Sequence, residues 1–159
     1  MAMEYEIREA RGEDLPALLA LYRPYHQELM EKGMNYSLHE EALPRVLENR
    51  IRSRLILTAV ATSLDGSLCG FVFCSILRLS PEYLCAGASS VGFLNDLYVA
   101  PSARHQGMAG ALAAYAENWL REQGIGVMEL NFLTGNDAAR DFWEQRGMEP
   151  VAVVCKKTL

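Results

Sequence analysis

The stretch APSARHQGMAG, residues 100–110, places Arg104, Gly107 and Gly110 in a loop that follows an apolar strand and opens a helix. A helix N-terminus leaves backbone N–H groups unpaired and carries partial positive charge, so it attracts phosphate where small residues let a ligand approach. Gly107, Ala109 and Gly110 supply that access. Two familiar phosphate loops do not fit: GxxxxGK(S/T) needs a lysine that the stretch lacks, and the GxGxxG fingerprint with its acidic residue after the next strand is absent. A glycine in such a turn also serves the backbone itself, so spacing alone leaves a structural turn and an anion site as alternatives.

The elements around the loop follow from hydrophobic period. A short strand over 5–8 gives way to GEDLP, an acidic helix start. Leu15, Leu18, Leu19, Tyr22, Tyr25 and Leu29 then recur at helical spacing across Pro24, and Gly33 ends the helix. Leu43, Val46, Leu47 and Ile51 predict a second helix over 38–53, with Glu40, Glu41, Arg45 and Glu48 on its solvated face. The period changes at 55–61 and 68–79, two apolar strands joined by the turn Leu64-Asp65-Gly66-Ser67. VGFLNDLYVAP forms the next strand, stopped by Pro101, and leads into the loop. After Gly107 the helix buries Met108, Leu112, Ala116, Trp119 and Leu120 and is capped by Gly124. A strand over 126–134, a short helix over 136–146 closed by Gly147, and a last strand over 151–156 complete a mixed α/β order.

Composition narrows the partners. The chain has 159 residues, half of them apolar, enough for one core without metals or disulfides. A net charge of −5 argues against a sequence-independent grip on nucleic acid, which needs clustered Lys and Arg. Cys69, Cys74, Cys85 and Cys155 form no CxxC pair and no metal-ligand spacing with histidine, so buried thiols in a reducing compartment are the default and no metal is expected. The N-terminal MAMEYEIREARGEDLP lacks an apolar signal-peptide core, and no run reaches membrane-spanning length. A cytoplasmic protein without membrane or nucleic-acid partners is the resulting expectation.

Arg104-His105-Gln106-Gly107-Met108-Ala109 resembles the (Q/R)-x-x-G-x-(G/A) signature of the GNAT superfamily of N-acetyltransferases, and the flanks LNDLYVAP and AGALAAYAENWL resemble that family too. NDAARDFWEQRGM, from Asn136 to Met148, is similar to its N-x-x-A-x-x-(F/L)-Y-x-x-x-G-F helix. Element order agrees along the chain. The resemblance implies one α/β domain over 1–159, a GNAT-like mixed sheet of six to seven strands flanked by about four helices.

It also implies a ligand. The pyrophosphate of acetyl-CoA, the co-substrate, would rest on the amides from Gln106 to Gly110, with Arg104 anchoring the loop or assisting with charge. His105 stands where the family often has glycine. Pantetheine would run beside Leu97, Tyr98 and Val99, pairing with free strand groups of Leu97 and Val99, while Asn136 and Phe142 of the second motif complete the cofactor contacts. The Leu97 N–H, matched by position, would bond the thioester carbonyl and stabilise the oxyanion.

Attack needs a neutral amine, and a lysine-type amine has a pKa of about 10.4, so a proton must leave. Asp96, the one carboxylate of its strand, is a candidate base or water-orienting group; capping a backbone N–H is its other reading. Simple alternation groups Phe93, Asn95 and Leu97 on one face and Leu94, Asp96 and Tyr98 on the other, a count that a bulge resets. Asn95 stands where the similar LEDLFV segment of diamine acetyltransferases has glutamate, and an amide accepts no proton at neutral pH. Trp143 stands where the family commonly uses a tyrosine to reprotonate the leaving thiolate; an indole N–H is too weak an acid for that. Tyr98 and Tyr115 are conceivable substitutes, though each also reads as packing. A thiolate leaving group of pKa near about 8.5 can depart unprotonated, which predicts slower turnover rather than none.

The family's acceptor pocket lies between the first two helices, which here carry Tyr25, His26, Tyr36 and His39 with Glu28 and Glu31 nearby, a lining suited to a cationic amine. The expected activity is direct acetyl transfer to a primary amine of a small molecule or peptide; the alternative is a GNAT-fold acyl-CoA sensor without turnover. Dimers are common in the family, so a homodimer is among the partners the resemblance implies.

Overall fold

The computed structural model describes residues 4–159. In chain order it contains β1 (Tyr5–Glu9), α1 (Leu15–Glu31), α2 (Leu43–Arg52), β2 (Ile56–Ser63), β3 (Leu68–Arg78), β4 (Ser90–Val99), α3 (Met108–Glu122), β5 (Met128–Leu130) and α4 (Asp137–Gln145), with 3-10 turns at Gly12–Asp14 and Pro101–Ala103. The strands form one sheet in the order β1-β2-β3-β4-β5. All neighbours are antiparallel except β4 and β5, which run parallel.

Side-chain alternation explains why β2 and β3 read as unbroken apolar runs. Leu57, Ala59, Ala61, Val72 and Cys74 point to one face, where α3 supplies Leu112, Ala113, Ala116 and Leu120, and α4 supplies Trp143. Val60, Phe71 and Phe73 point to the other, against Leu18 of α1 and Leu43 and Leu47 of α2. The central strands are therefore buried on both sides, and helices cover the sheet as a three-layer sandwich.

The helix stops read from glycine hold. After α1, α3 and α4 the amide of Gly33, Gly124 or Gly147 and the amide that follows it reach back to the last-turn carbonyls, the Schellman closure. At the other end of α1, Arg8 donates to both Asp14 oxygens at 2.7 and 2.9 Å, tying β1 to the helix entry. These bonds hold the buried Asp14 carboxyl below the ordinary carboxylate range.

Four expectations fail. The sheet has five strands, not six to seven. The stretch 151–156 forms no strand: Val151 and Val153 are each 86 % exposed, because no strand of the described chain lies beside them to complete a ladder. Its nearest ties are from Lys156, whose Nζ donates to Asn35 Oδ1 at 2.6 Å and lies 3.8 Å from the Tyr36 ring centroid. β5 is likewise cut from the expected 126–134 to Met128–Leu130, since its pairing with β4 ends after Leu94 and Leu130. The second helix begins only at Leu43, with Pro44 in its first turn, where a missing N–H costs nothing.

Gly70 of β3 shows how tightly the central strands meet. A Cβ there would lie 2.7 Å from the Tyr98 carbonyl oxygen and 3.2 Å from Leu112 Cδ1. The first neighbour is backbone and cannot rotate away. Gly70→Ala is expected to destabilise the fold by about 1–3 kcal/mol, read as a lower Tm in thermal unfolding; an unchanged Tm would mean that β3 and β4 can separate without cost.

Candidate active site

The loop between β4 and α3 turns on two left-handed residues. Gly107, the N-cap of α3, has φ +80°, and His105 has φ +62°. Glycine adopts this conformation without penalty, whereas a β-carbon makes it unfavourable by about 1–2 kcal/mol. The place where related sequences often carry glycine is therefore one where the backbone of this chain turns left-handed too. The first bond of α3 runs from the Ala111 amide to the Gly107 carbonyl at 3.0 Å, so the amides of Met108, Ala109 and Gly110 have no acceptor within the helix. They open a positive helix end just past β4.

One cation flanks that end. Arg146 Nη1 lies 3.5 Å from where a Gly110 Cβ would stand, while Arg146 Nη2 donates to Glu117 at 3.2 Å and the guanidinium lies 5.7 Å from the Phe142 ring centroid. Arg104 is engaged elsewhere: its Nε donates to the Val99 carbonyl at 2.9 Å and its Nη2 to both Glu28 oxygens at 2.8 and 2.9 Å. Arg104 thus ties the end of β4 to α1.

β4 parts from β5 directly above this loop. Parallel pairing covers Gly92 to Leu94 and then stops, while β3 continues to pair with β4 as far as Val99. The β3–β4 register passes from Cys74↔Leu94 to Phe73↔Asp96, so Asn95 is the extra residue of a bulge. Simple alternation fails here: Leu94 packs with Leu97 and Val99 on the α3 face, whereas Tyr98 packs against α1. The Ala100 amide donates to the Cys69 carbonyl, so the main-chain groups of Leu97 and Val99 face the side that β5 has left, the Val99 carbonyl there already accepting from Arg104 Nε. An extended chain could pair there.

The bulge also aims Asp96 at the helices. Asp96 Oδ1 accepts from the Tyr25 hydroxyl at 2.8 Å and Oδ2 from Arg50 Nη1 at 3.2 Å, and the side chain is 15 % exposed. The Arg50 guanidinium itself lies 4.7 Å from the Phe73 ring centroid. A carboxylate offers four lone-pair sites, so each oxygen keeps one for a water or an amine. Asn95 is committed differently, its Oδ1 accepting from Ser75 Oγ at 2.6 Å.

The proposed acceptor residues separate. Burial, with the Asp96 carboxylate beside it, pushes the Tyr25 phenol well above the usual tyrosine range, so Tyr25 stays a hydrogen-bond donor. His26 Nε2 donates to the Tyr36 carbonyl at 2.7 Å and ties the α1–α2 connection to α1. Tyr36 is exposed. Tyr25 thus belongs to the Asp96 cluster, whereas His26 of α1 pairs with Tyr36 of the α1–α2 connection outside it.

Proton donors for a leaving thiolate are scarce. Trp143 is 6 % exposed within the core, edge-on to Phe142 with ring centroids 4.8 Å apart. Burial, reinforced by the Glu28 charge, raises the Tyr98 phenol, which donates to Glu28 at 3.2 Å. Burial also raises Tyr115. Asn136 caps α4, its Oδ1 accepting from the Ala139 amide at 3.2 Å. Cys74 is buried and its thiol is pushed up to about 12, which removes it as a nucleophile. Among the described residues no group of three or more His, Cys, Asp or Glu could hold a metal ion, and no helix is long and apolar enough to cross a membrane.

A family model described as the acetyltransferase (GNAT) family matches residues 15–148. The chain belongs to the GNAT acetyltransferase family. Its sequence is 29 % identical over 143 residues to an uncharacterised N-acetyltransferase, YhfO, of Bacillus subtilis, covering 90 % of this chain and 89 % of the relative. It is 32 % identical over 117 residues to an aminoglycoside N(6')-acetyltransferase type 1 of Klebsiella aerogenes, covering 73 % and 74 % of the two chains. Among solved structures, a predicted acetyltransferase of Clostridium acetobutylicum crystallised with acetyl-CoA superposes with a TM-score of 0.79 at 16 % identity, over 98 % of this chain and 96 % of the other. This protein is thus a GNAT N-acetyltransferase, and acetyl-CoA is the co-substrate of the family.

Within this GNAT domain the structure brings Leu97, Val99 and the 104–110 loop together with Asp96 and Tyr25. Sequence reasoning missed Arg50, Arg146 and the pairing of Glu28. Arg146 carried a signal, four residues after Phe142 on one helix face. Arg50 carried none beyond its place in α2.

Proposed function

We propose that the protein transfers the acetyl group of acetyl-CoA directly to a primary amine of a small molecule or peptide, in a ternary complex without an acyl-enzyme. The observation that carries this reading is the end of β4–β5 pairing at Leu94, in the strand that leads through the 100–107 loop into the glycine-led start of α3. A pantetheine can pair with Leu97 and Val99 while its pyrophosphate meets the amides of the loop and of Met108 to Gly110, with Arg146 adjacent. The Leu97 N–H then faces the thioester carbonyl. Asp96, oriented by Tyr25 and Arg50, takes the amine proton directly or through water. The thiolate leaves unprotonated or gains its proton from solvent, because Trp143 supplies none.

The test is thiol release from acetyl-CoA with polyamines, amino acids, aminoglycosides, arylamines and N-terminal peptides as acceptors, with product masses and calorimetric CoA binding. An acetylated amine is the expected result. A second reading, an acyl-CoA sensor, is favoured by the burial of Trp143 and by the Asn95 amide bound to Ser75, two positions the family often uses chemically. Tight CoA binding without product across the panel would establish it instead.

A further inference from the structure

Arg104 and Glu28 stand 76 residues apart in sequence and form a clamp that the transfer reaction does not itself require. Arg104 opens the loop, and its Nε folds back onto the carbonyl of Val99, the last residue of β4. Its Nη2 then reaches both oxygens of Glu28, which also accepts from the Tyr98 hydroxyl at 3.2 Å. The guanidinium lies 5.5 Å from the Tyr98 ring centroid. Strand end, loop start and α1 therefore meet at one carboxylate.

The charges at this junction cancel. Glu28 places its negative charge against the Arg104 cation, and Arg146 is likewise paired with Glu117 at 3.2 Å, so what reaches a bound pyrophosphate is chiefly the field of the backbone amides. α1 also carries Tyr25, one turn earlier, which holds Asp96. Resting on the assignment of the acetyl-CoA site above, we infer that Glu28 is a positioning residue that acts through Arg104 to fix the 104–107 turn on the helix bearing the acceptor-side Tyr25. Both Glu28 oxygens are engaged by Arg104, and one of them also by Tyr98. It sets where the loop amides point, and it joins the geometry of the cofactor site to that of the acceptor wall.

Two roles for the clamp predict opposite signs. If Arg104 served as a phosphate charge, removing the Glu28 carboxylate would strengthen CoA binding. If Glu28 positions the loop, Glu28→Gln, nearly isosteric, weakens CoA binding about tenfold and raises KM for acetyl-CoA while Tm stays close to that of the parent. Arg104→Lys keeps the charge but not the planar fork and loses affinity to the same extent. Adding Glu28→Gln to Arg104→Gln costs nothing further, since both act through one contact.

Calorimetric titration of CoA into the four variants and the parent decides the matter. Unchanged or tighter binding in Glu28→Gln overturns the inference, as does full affinity in Arg104→Lys or additive losses in the double variant. A parent protein that binds no CoA overturns the site assignment itself, and the inference with it.

Discussion

Gly107→Glu is expected to weaken acetyl-CoA binding by at least about a hundredfold, equivalent to about 3 kcal/mol, while leaving the protein folded. Gly107 caps α3 at φ +80°, where among the described residues an added Cβ would meet within 4 Å only the Tyr5 hydroxyl, at 3.8 Å. There is room for a side chain, so the left-handed conformation, not crowding, makes the fold less favourable by about 1–2 kcal/mol. The ligand meets a harder obstacle. A carboxylate at the N-cap satisfies the helix end that a phosphate would otherwise meet, and it repels the phosphate charge. Gly107→Ala separates the two effects: it shares the backbone strain without the charge and is expected to keep most of the affinity. Equal CoA affinity in Gly107→Glu and parent would mean that the 104–110 loop is not the anion site.

Asp96→Asn is expected to lower kcat/KM by about a hundredfold at neutral pH, with CoA affinity unchanged, if Asp96 receives the amine proton. The amide keeps an oxygen that can accept from Tyr25, but it cannot take a proton. pH separates a base from a brace. As pH rises towards the amine's own pKa, about 10.4 for a lysine-type acceptor, the amine arrives neutral and the deficit of Asp96→Asn shrinks. A carboxylate that only bridges α1 and α2 to β4 would give a loss of Tm and an activity deficit independent of pH. The same comparison made on Arg50, which donates to Asp96 Oδ2, would show whether the guanidinium matters to the rate or only to the packing over Phe73.

Local chemistry determined a large share of this protein. Gly33, Gly124 and Gly147 stop their helices because an αL residue lets the following amides turn back on the last carbonyls, and that is a short-range event visible in a single stretch. The apolar period of β2 and β3, the Pro101 stop and the glycine-led start of α3 were legible for the same reason, as was the family signature from Arg104 to Ala109. The failures share a cause as well. A strand exists only where another strand pairs with it, so the apolar alternation over 151–156 and the ends of β5 could not be read without knowing the neighbour.

The site divides along the same line. Sequence alone named the loop and the strand, because the backbone groups that would meet the cofactor follow from where a strand ends and a helix begins. Only the tertiary structure decided what the side chains do. The bulge at Asn95 turns Asp96 towards α1 and α2, where Tyr25, 71 residues away, and Arg50, 46 away, hold it. Arg104 meets Glu28 rather than an open phosphate site. Trp143 lies in the core instead of lining a proton path. Charge pairing and burial are set by which elements stack across the sheet, and a contact between residues dozens of positions apart leaves no periodic trace in the chain that forms it.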